Sequence, residues 1–187
     1  MSQRGGSLVH AGAFFGDMLA AFSKSGASSV YAFEPVFENY LLARMTMMSN
    51  GLENVFLLNS GLGDEIGLKH MCTQDDAGRH AGGGSYVAEA GDPTPIITID
   101  SLSLTELSLI QLDIEGHEYE ALVGAAESIR RDQPIIMIED IPGRCDDLLE
   151  AYGYVFAGEI PGLKIWSTPG DMEFTSAALT HVLGSNS

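Results

Sequence analysis

The sequence predicts an α/β fold, a doubly wound and mostly parallel sheet with helices on both faces. Three observations predict it. Short β-rich runs alternate with helical patterns along the chain. The run "SLIQLDIE", Ser108–Glu115, is apolar on both sides until its end, as a strand buried between two helix layers must be. Near the C-terminus, "YVFAGE" and "LKIWS" flank Pro161-Gly162, which reads as an antiparallel hairpin.

The elements follow in order. Strand one is Ser7–His10, and the helix after it runs Asp17–Ser25, with Met18, Leu19 and Phe22 on one face. Strand two is Ser29–Glu34. Pro35 suits the first turn of the next helix, where no N–H is needed, and Asn50-Gly51 closes that helix. Met45, Met47 and Met48 fall on its core side and edge. Strand three is Asn54–Asn59, followed by a short edge strand at Leu68–Met71. From His70 to Pro95 the chain is Gly-rich, polar and aperiodic, and is expected to be a long mobile loop. Strand-like "IITI" then leads to a helical turn at Ser103–Leu107. After strand four, one helix is expected to carry Tyr119, Leu122, Ala126 and Ile129 on a single stripe and to stop at Pro134. Strand five is Ile135–Asp140, then a short helix Asp146–Tyr152, the hairpin, and an amphipathic tail helix, Phe174–Leu183. The whole reads as one domain over 1–187, with its core at about 7–168 and a tail from 169.

Composition narrows the function. The chain has 187 residues, 45% hydrophobic and 19% charged, enough for one real core. No apolar run reaches the roughly 18–20 residues of a membrane span. An apolar secretion signal at Ser7–Phe22 is disfavoured, because His10, Gly12, Gly16 and Asp17 interrupt it. Cys72 and Cys145 form no CxxC pair, so a reducing compartment, the cytoplasm, is the default. The net charge of −17 disfavours nucleic acid and anionic membrane surfaces as partners. It favours a cationic ligand over one rich in phosphate. Association of identical chains stays open.

In open α/β sheets, ligands bind beyond the carboxyl ends of the strands. After strand one stands "HAGAFFG", His10–Gly16. Gly12 and Gly16 permit a tight turn, for a ligand or only for packing. A dinucleotide site wants a further glycine where this chain has Phe14, so a phosphate-free ligand fits better. Glu34 ends strand two, where a carboxylate accepts hydrogen bonds from ribose hydroxyls; a helix N-terminal charge is the other reading. Together they favour an adenosine-containing ligand without phosphate, and S-adenosylmethionine fits that description. Its sulfonium is a cation that an acidic pocket tolerates and an aromatic face stabilises.

"AGAFFG", "YAFEPVFENYLLAR", "NGLENVFLLNSGLGDEIG" and above all "LIQLDIEGHEYEALVGA" resemble the FkbM family of S-adenosylmethionine-dependent methyltransferases, from Leu8 to about Trp166. The Glu34-Pro35 pair and the Asp-x-Glu-Gly-x-Glu run from Asp113 are the specific parts. The resemblance implies the seven-stranded, Rossmann-like methyltransferase sheet, with the hairpin as its last two strands. It implies methyl transfer, typically to a hydroxyl of a small molecule or carbohydrate. By the same resemblance Gly12, Ala13 and Gly16 line the methionine end of S-adenosylmethionine, Glu34 holds the ribose, Ser60 and Gly61 flank the adenine, and Asp113 sits near the methyl group. Glu115 and Glu118 match the strand-four motif. His10 stands where the family usually has an acid, Phe14 where it has a polar residue, and Gln111 where it often has Lys. Strand one starts so near the N-terminus that an N-terminal element capping the substrate is expected to be missing or to have been cut away.

A hydroxyl must lose its proton as it takes the methyl group. Asp113 or His117 is placed to accept it. Neutral His117 is the better base at pH 7, and Asp113 has the better position by resemblance. An exposed helix N-terminus is the competing reading of His117. The acids Asp113, Glu115, Glu139 and Asp140, with His117, also raise a divalent-cation reading, but their spacing is no defined ligand motif and no metal is assigned. Two rival functions stay open: a nicotinamide-dependent oxidoreductase, and a non-catalytic binding domain that kept the fold.

Overall fold

The computed structural model describes residues 5–74, 81–139 and 143–184. A seven-stranded sheet forms its centre, in the order β10-β11-β9-β8-β1-β2-β3. These strands are β1 Ser7–Ala11, β2 Ser29–Phe33, β3 Val55–Leu58, β8 Leu107–Leu112, β9 Ile135–Ile138, β10 Val155–Ile160 and β11 Leu163–Ser167. β3, β2, β1, β8 and β9 run parallel, while β11 pairs antiparallel with both β9 and β10. The predicted parallel sheet and its terminal hairpin are therefore both present.

β1 explains why two cores form. All five of its residues are buried. Val9 and Ala11 point to one face, where they meet Ile110, Leu112, Leu122, Ile129 and Ile136. Leu8 points to the other, where it meets Leu19, Phe22, Val30, Ala32 and Ala43. The period of two sends alternate side chains to opposite faces, so His10 falls on the Leu8 side, its ring 4.8 Å from that of Phe22.

Helix α1, Leu19–Ser23, and helix α2, Phe37–Ser49, cover that second face. Leu19 and Phe22 are buried as expected, but Met18 lies outside α1 and is exposed. On α2 only Asn39 and Ala43 are buried, and Met47 packs against the core. Met45 and Met48 are exposed, so they are not core residues.

The region expected to be one mobile loop is different. Its described residues join a second sheet, β4-β7-β5-β6, made of Gly61–Leu62, Asp92–Ile97, Gly67–Cys72 and Tyr86–Ala88; the strand expected at Leu68–Met71 is present as β5, inside this sheet and not at its edge. Cross-strand pairing supplies what the sequence hid. Met71, Thr94 and Ile96 are buried beneath it, and His70 pairs with both Pro93 and Ala88. Residues 75–80, with His80, lie outside the described part. The helical turn expected at Ser103–Leu107 sits earlier, as a 3-10 turn at Asp100–Leu102.

The single helix expected after β8 is two, α3 Glu118–Val123 and α4 Ala126–Asp132. The break comes at Gly124, where a Cβ would stand 2.0 Å from the Gly63 carbonyl oxygen. Shifting the helical phase there buries Ala121, Leu122, Ala125 and Ile129, while Tyr119 is exposed and Ala126 half-buried. Helix α5, Asp146–Ala151, and helix α6, Met172–Gly184, complete the chain. No helix among the described residues is long and apolar enough to cross a membrane.

Gly124, the residue that caps the C-terminal end of α3, has φ −72° and ψ 0°, a backbone that a side chain can adopt, so alanine there gains about 0.4–1 kcal/mol by restricting the unfolded chain. The clash with Gly63 outweighs that gain. Gly124→Ala is expected to destabilise the fold by about 1–3 kcal/mol, as overpacking does. Urea unfolding checks this, and a variant as stable as the parent would show that Gly63 yields freely.

Candidate active site

Strand order reverses at β1, which has β2 on one side and β8 on the other. The chain leaves these strands in different directions, and a crevice opens beyond their carboxyl ends. A cavity of about 260 Å3 lies there. It is floored by the ends of β1, β2 and β8 and roofed by Met71, Gly82, Gly83, Ser85, Val87 and Ile96 of the second sheet and its approach.

Two buried glutamates shape the turns that border it. Glu34 Oε2 accepts from the Phe14 N–H at 2.7 Å, and its Oε1 accepts from the Val36 N–H at 2.9 Å. Phe14 has φ 46°, an unusual conformation for a side chain of its size. The bond to Glu34 helps hold it there. Its ring turns up beneath the Gly82-Gly83 segment, where a Cβ on Gly82 would lie 3.7 Å from it. Glu118 does the same for the turn after β8, accepting from the Ile114 N–H at 2.9 Å and the Gly116 N–H at 3.3 Å. Glu118 thus braces a turn and does not line the cavity. Burial pushes the Glu34 carboxyl above its ordinary value, against the pull of the two backbone donors and Asn39.

Of the residues singled out in the sequence, His10, Gly12, Phe14, Glu34, Pro35, Gly61, Asp113 and His117 line the cavity. Ala13, Gly16 and Ser60 do not. Ala13 is fully buried in the second core. Gly16 makes room for α2, since a Cβ there would stand 3.1 Å from the Ala43 Cα and the Thr46 Cβ. Ser60 is buried and its hydroxyl has no hydrogen-bond partner among the described residues. The glycines of the first turn therefore divide: Gly12 borders the cavity, and Gly16 serves helix packing.

The two unusual residues at the floor meet each other. His10 and Gln111 are register partners on β1 and β8, and His10 Nδ1 hydrogen-bonds Gln111 Oε1. The acceptor on Gln111 assigns the hydrogen to Nδ1. Burial holds the imidazole below its ordinary pKa, so it is neutral, and its Nε2 is buried without a partner among the described residues.

The rim beside β8 is acidic. Asp113 and Glu139 follow paired residues of β8 and β9, and both line the cavity. Carboxyls crowded together disfavour one another's charge. Burial first, then Glu139, Glu115 and Glu118, push Asp113 up to about 7. Burial and Glu139 also raise Glu115. Asp140 lies outside the described residues, and among those described no group of His, Cys, Asp or Glu is arranged to hold a metal ion.

Sequence reasoning missed Asn39, whose amide donates to Gly82 O at 3.3 Å, and the whole roof. Only the burial of a polar helix residue, invisible in sequence, marks Asn39. Counted by charge, the described lining holds five carboxyl side chains, Asp17, Glu34, Asp113, Glu115 and Glu139, and no Lys or Arg. That set disfavours phosphate and suits a cation. Glu34 still has two of its roughly four lone-pair sites for ligand hydroxyls. The residues present therefore fit a phosphate-free adenosyl sulfonium.

The Asp113 carboxyl holds its proton in the folded chain at pH values where the unfolded chain, with a carboxyl near 3.9, has released it. Stability must then fall as pH rises from about 4 through 7. Asp113→Asn removes that loss. The variant's Tm, relative to the parent, should be higher at pH 8 than at pH 5 by the equivalent of about 1 kcal/mol, after discounting for solvent screening, or about 2–4 °C. Equal differences at both pH values would refute the raised Asp113 carboxyl.

The family model of the Methyltransferase FkbM domain matches residues 10–156. No curated protein matches the chain by sequence. Among solved structures, methyltransferase FkbM from Methylobacillus flagellatus KT superposes with a TM-score of 0.65 at 18% identity. The match covers 88% of this chain and 44% of that one, so the chain spans less than half of that protein's length. A ribosomal protein L11 methylase from Lactobacillus delbrueckii subsp. bulgaricus gives 0.51 at 12% identity, covering 89% and 72%. An rRNA methylase from Streptococcus thermophilus gives 0.50 at 14%, covering 88% and 87%. At such identities these structures speak to the fold alone.

Proposed function

The chain belongs to the FkbM methyltransferase family, whose cofactor is S-adenosylmethionine, and from that premise we propose that it methylates a hydroxyl oxygen of a small molecule or carbohydrate. The observation that carries this reading is the cavity lining, with Glu34 at the end of β2, five carboxyl groups and no Lys or Arg among the described residues. S-adenosylmethionine supplies a methyl group on a sulfonium, which leaves as an uncharged thioether.

The chain's own residues have distinct tasks in this proposal. Glu34 accepts from the ribose hydroxyls through its remaining lone pairs. His10 Nε2 accepts from the amino end; it is a weaker partner for an ammonium than a carboxylate, and the nearby Asp17 carboxylate on the same cavity adds charge. The Phe14 ring and the Gly82-Gly83 segment exclude water from one side. Asp113 and His117 face the acceptor's side, and either gives a hydroxyl somewhere to leave its proton. Alignment of acceptor and methyl group supplies much of the rate. The acceptor in this reading is uncharged or cationic, because phosphorylated or nucleic-acid acceptors would meet the −17 charge of the chain.

Titration calorimetry with S-adenosylhomocysteine tests the cofactor assignment. Glu34→Ala should weaken binding by about 1–3 kcal/mol, roughly 5- to 150-fold in Kd. Unchanged affinity would remove Glu34 from the site. Micromolar binding of NAD, with no response to S-adenosylhomocysteine, would favour an oxidoreductase instead. Methyl transfer from radiolabelled S-adenosylmethionine to a panel of methyl glycosides and small alcohols tests the acceptor class. Cofactor binding with label passing to amines or thiols only would overturn the hydroxyl assignment.

A further inference from the structure

Beside the cavity, one side chain that lines it is held by a chain of charged groups. His117 Nδ1 lies 3.5 Å from Glu120 Oε2, three residues on. Glu120 Oε1 accepts from Arg144 Nη2 at 3.1 Å. Arg144 is itself fixed, since its Nη1 donates to Gly116 O at 3.1 Å and its guanidinium lies 5.5 Å from the Tyr119 ring centre. The His117 and Glu120 side chains are only 12% and 25% exposed. At the far end of the imidazole, Nε2 is buried and has no hydrogen-bond partner among the described residues. Gly63 keeps room there, because a Cβ at that position would come within 3.2 Å of Nε2.

The contact between His117 and Glu120 is longer than a hydrogen bond, and Glu120 Oε2 has no hydrogen-bond partner among the described residues, but a carboxylate facing Nδ1 favours the hydrogen on that nitrogen, which leaves Nε2 with a lone pair. The contrast with Asp113 is decisive. Asp113 is crowded by the Glu139, Glu115 and Glu118 carboxyls, which with burial favour its protonated form, whereas Nε2 has no hydrogen-bond partner among the described residues. The geometry points to Glu120, braced by Arg144, as a positioning residue that fixes the His117 tautomer, so that His117 Nε2 takes the proton of the acceptor hydroxyl. This rests on the hydroxyl methylation proposed above. The step balances: the hydroxyl O–H breaks as its oxygen gains the methyl group, the proton goes to Nε2, and the resulting imidazolium faces Glu120. The proton passes to solvent before the next turnover.

The groups around the imidazole set its titration. Burial holds His117 below its ordinary pKa, which keeps it neutral and able to accept. Glu120 and Asp64 oppose this, while Lys69 and Arg144 add to it. Lys69 is on β5, Asp64 lies just before it, and across the cavity stand Asp113, Glu115 and Glu139. Removing the Glu120 charge leaves Lys69 and Arg144 less opposed, so the His117 pKa must fall.

The test is a nitrogen-15 NMR titration of histidine-labelled protein, with His117→Asn to assign the signal. The parent should show His117 with hydrogen on Nδ1. Glu120→Gln should lower the His117 pKa and mix the two tautomers, and Glu120→Asp should restore the parent tautomer in part. S-adenosylhomocysteine affinity should change less than twofold in all three variants, which also shows that they fold. A His117 signal with hydrogen on Nε2, or one indifferent to Glu120→Gln, would overturn the proposal while leaving the cofactor reading intact. No binding of S-adenosylhomocysteine by the parent would instead sink the reading on which it rests. On a hydroxyl acceptor from the panel, His117→Asn should lower kcat about 10²–10⁴-fold with KM unchanged. Glu120→Gln should shift the acid limb of the kcat profile to lower pH. A His117→Asn enzyme with parental kcat would assign the proton elsewhere.

Discussion

Two buried glutamates, each accepting two backbone N–H groups, hold the turns between which the cavity opens. Turn amides without strand partners must find acceptors or lose about 1–3 kcal/mol each when buried. Glu34 serves the turn after β1 and the entry to α2. Glu118 serves the turn after β8 from within α3. Because β1 and β8 are neighbours at the point where strand order reverses, these are the two turns that diverge. Their geometry decides where Phe14, Asp113 and His117 stand. The same carboxylate that secures the first turn is the one proposed to hold a ribose, and that role would couple binding to local folding at Glu34.

The acidic lining has an electrostatic consequence. Burial penalises each charge, and mutual repulsion penalises them together, so the Asp113 carboxyl is pushed up to about 7. The two histidines are held neutral by the same burial. A cationic ligand relieves the repulsion, and its uncharged product does not. The site is therefore disposed to hold the sulfonium and to let the thioether go. Excess charge costs stability when the cavity is empty, a cost that strand pairing and two apolar cores offset.

The resemblance to FkbM methyltransferases and the geometry support each other at different points. Glu34-Pro35 and the Asp113–Glu118 run, the specific parts of the motif, fall at the ends of β2 and β8. The less specific first turn is where the expected roles separate, with Gly12 on the cavity and Ala13 and Gly16 given to packing. His10 and Gln111, the unusual pair, are neighbours across β1 and β8. They form one neutral hydrogen-bonded unit.

The sequence by itself determined the parallel sheet, its hairpin and the strand ends that carry Glu34, Asp113 and His117. It could do so because burial between helix layers demands continuous apolar runs, and the carboxyl end of each run is where polarity returns. Periodicity says nothing about contacts between distant segments. The Gly-rich stretch after β5 has no pattern of its own, yet strand pairing within the second sheet turns much of it into the roof of the cavity. The helix after β8 looked continuous because Gly124 reads as a weak helix former, and only the approach of Gly63 shows why it breaks. The burial of Asn39, the exposure of Met45 and Met48, and the meeting of His117, Glu120 and Arg144 were likewise decided by tertiary packing. Each depends on which surface another part of the chain covers.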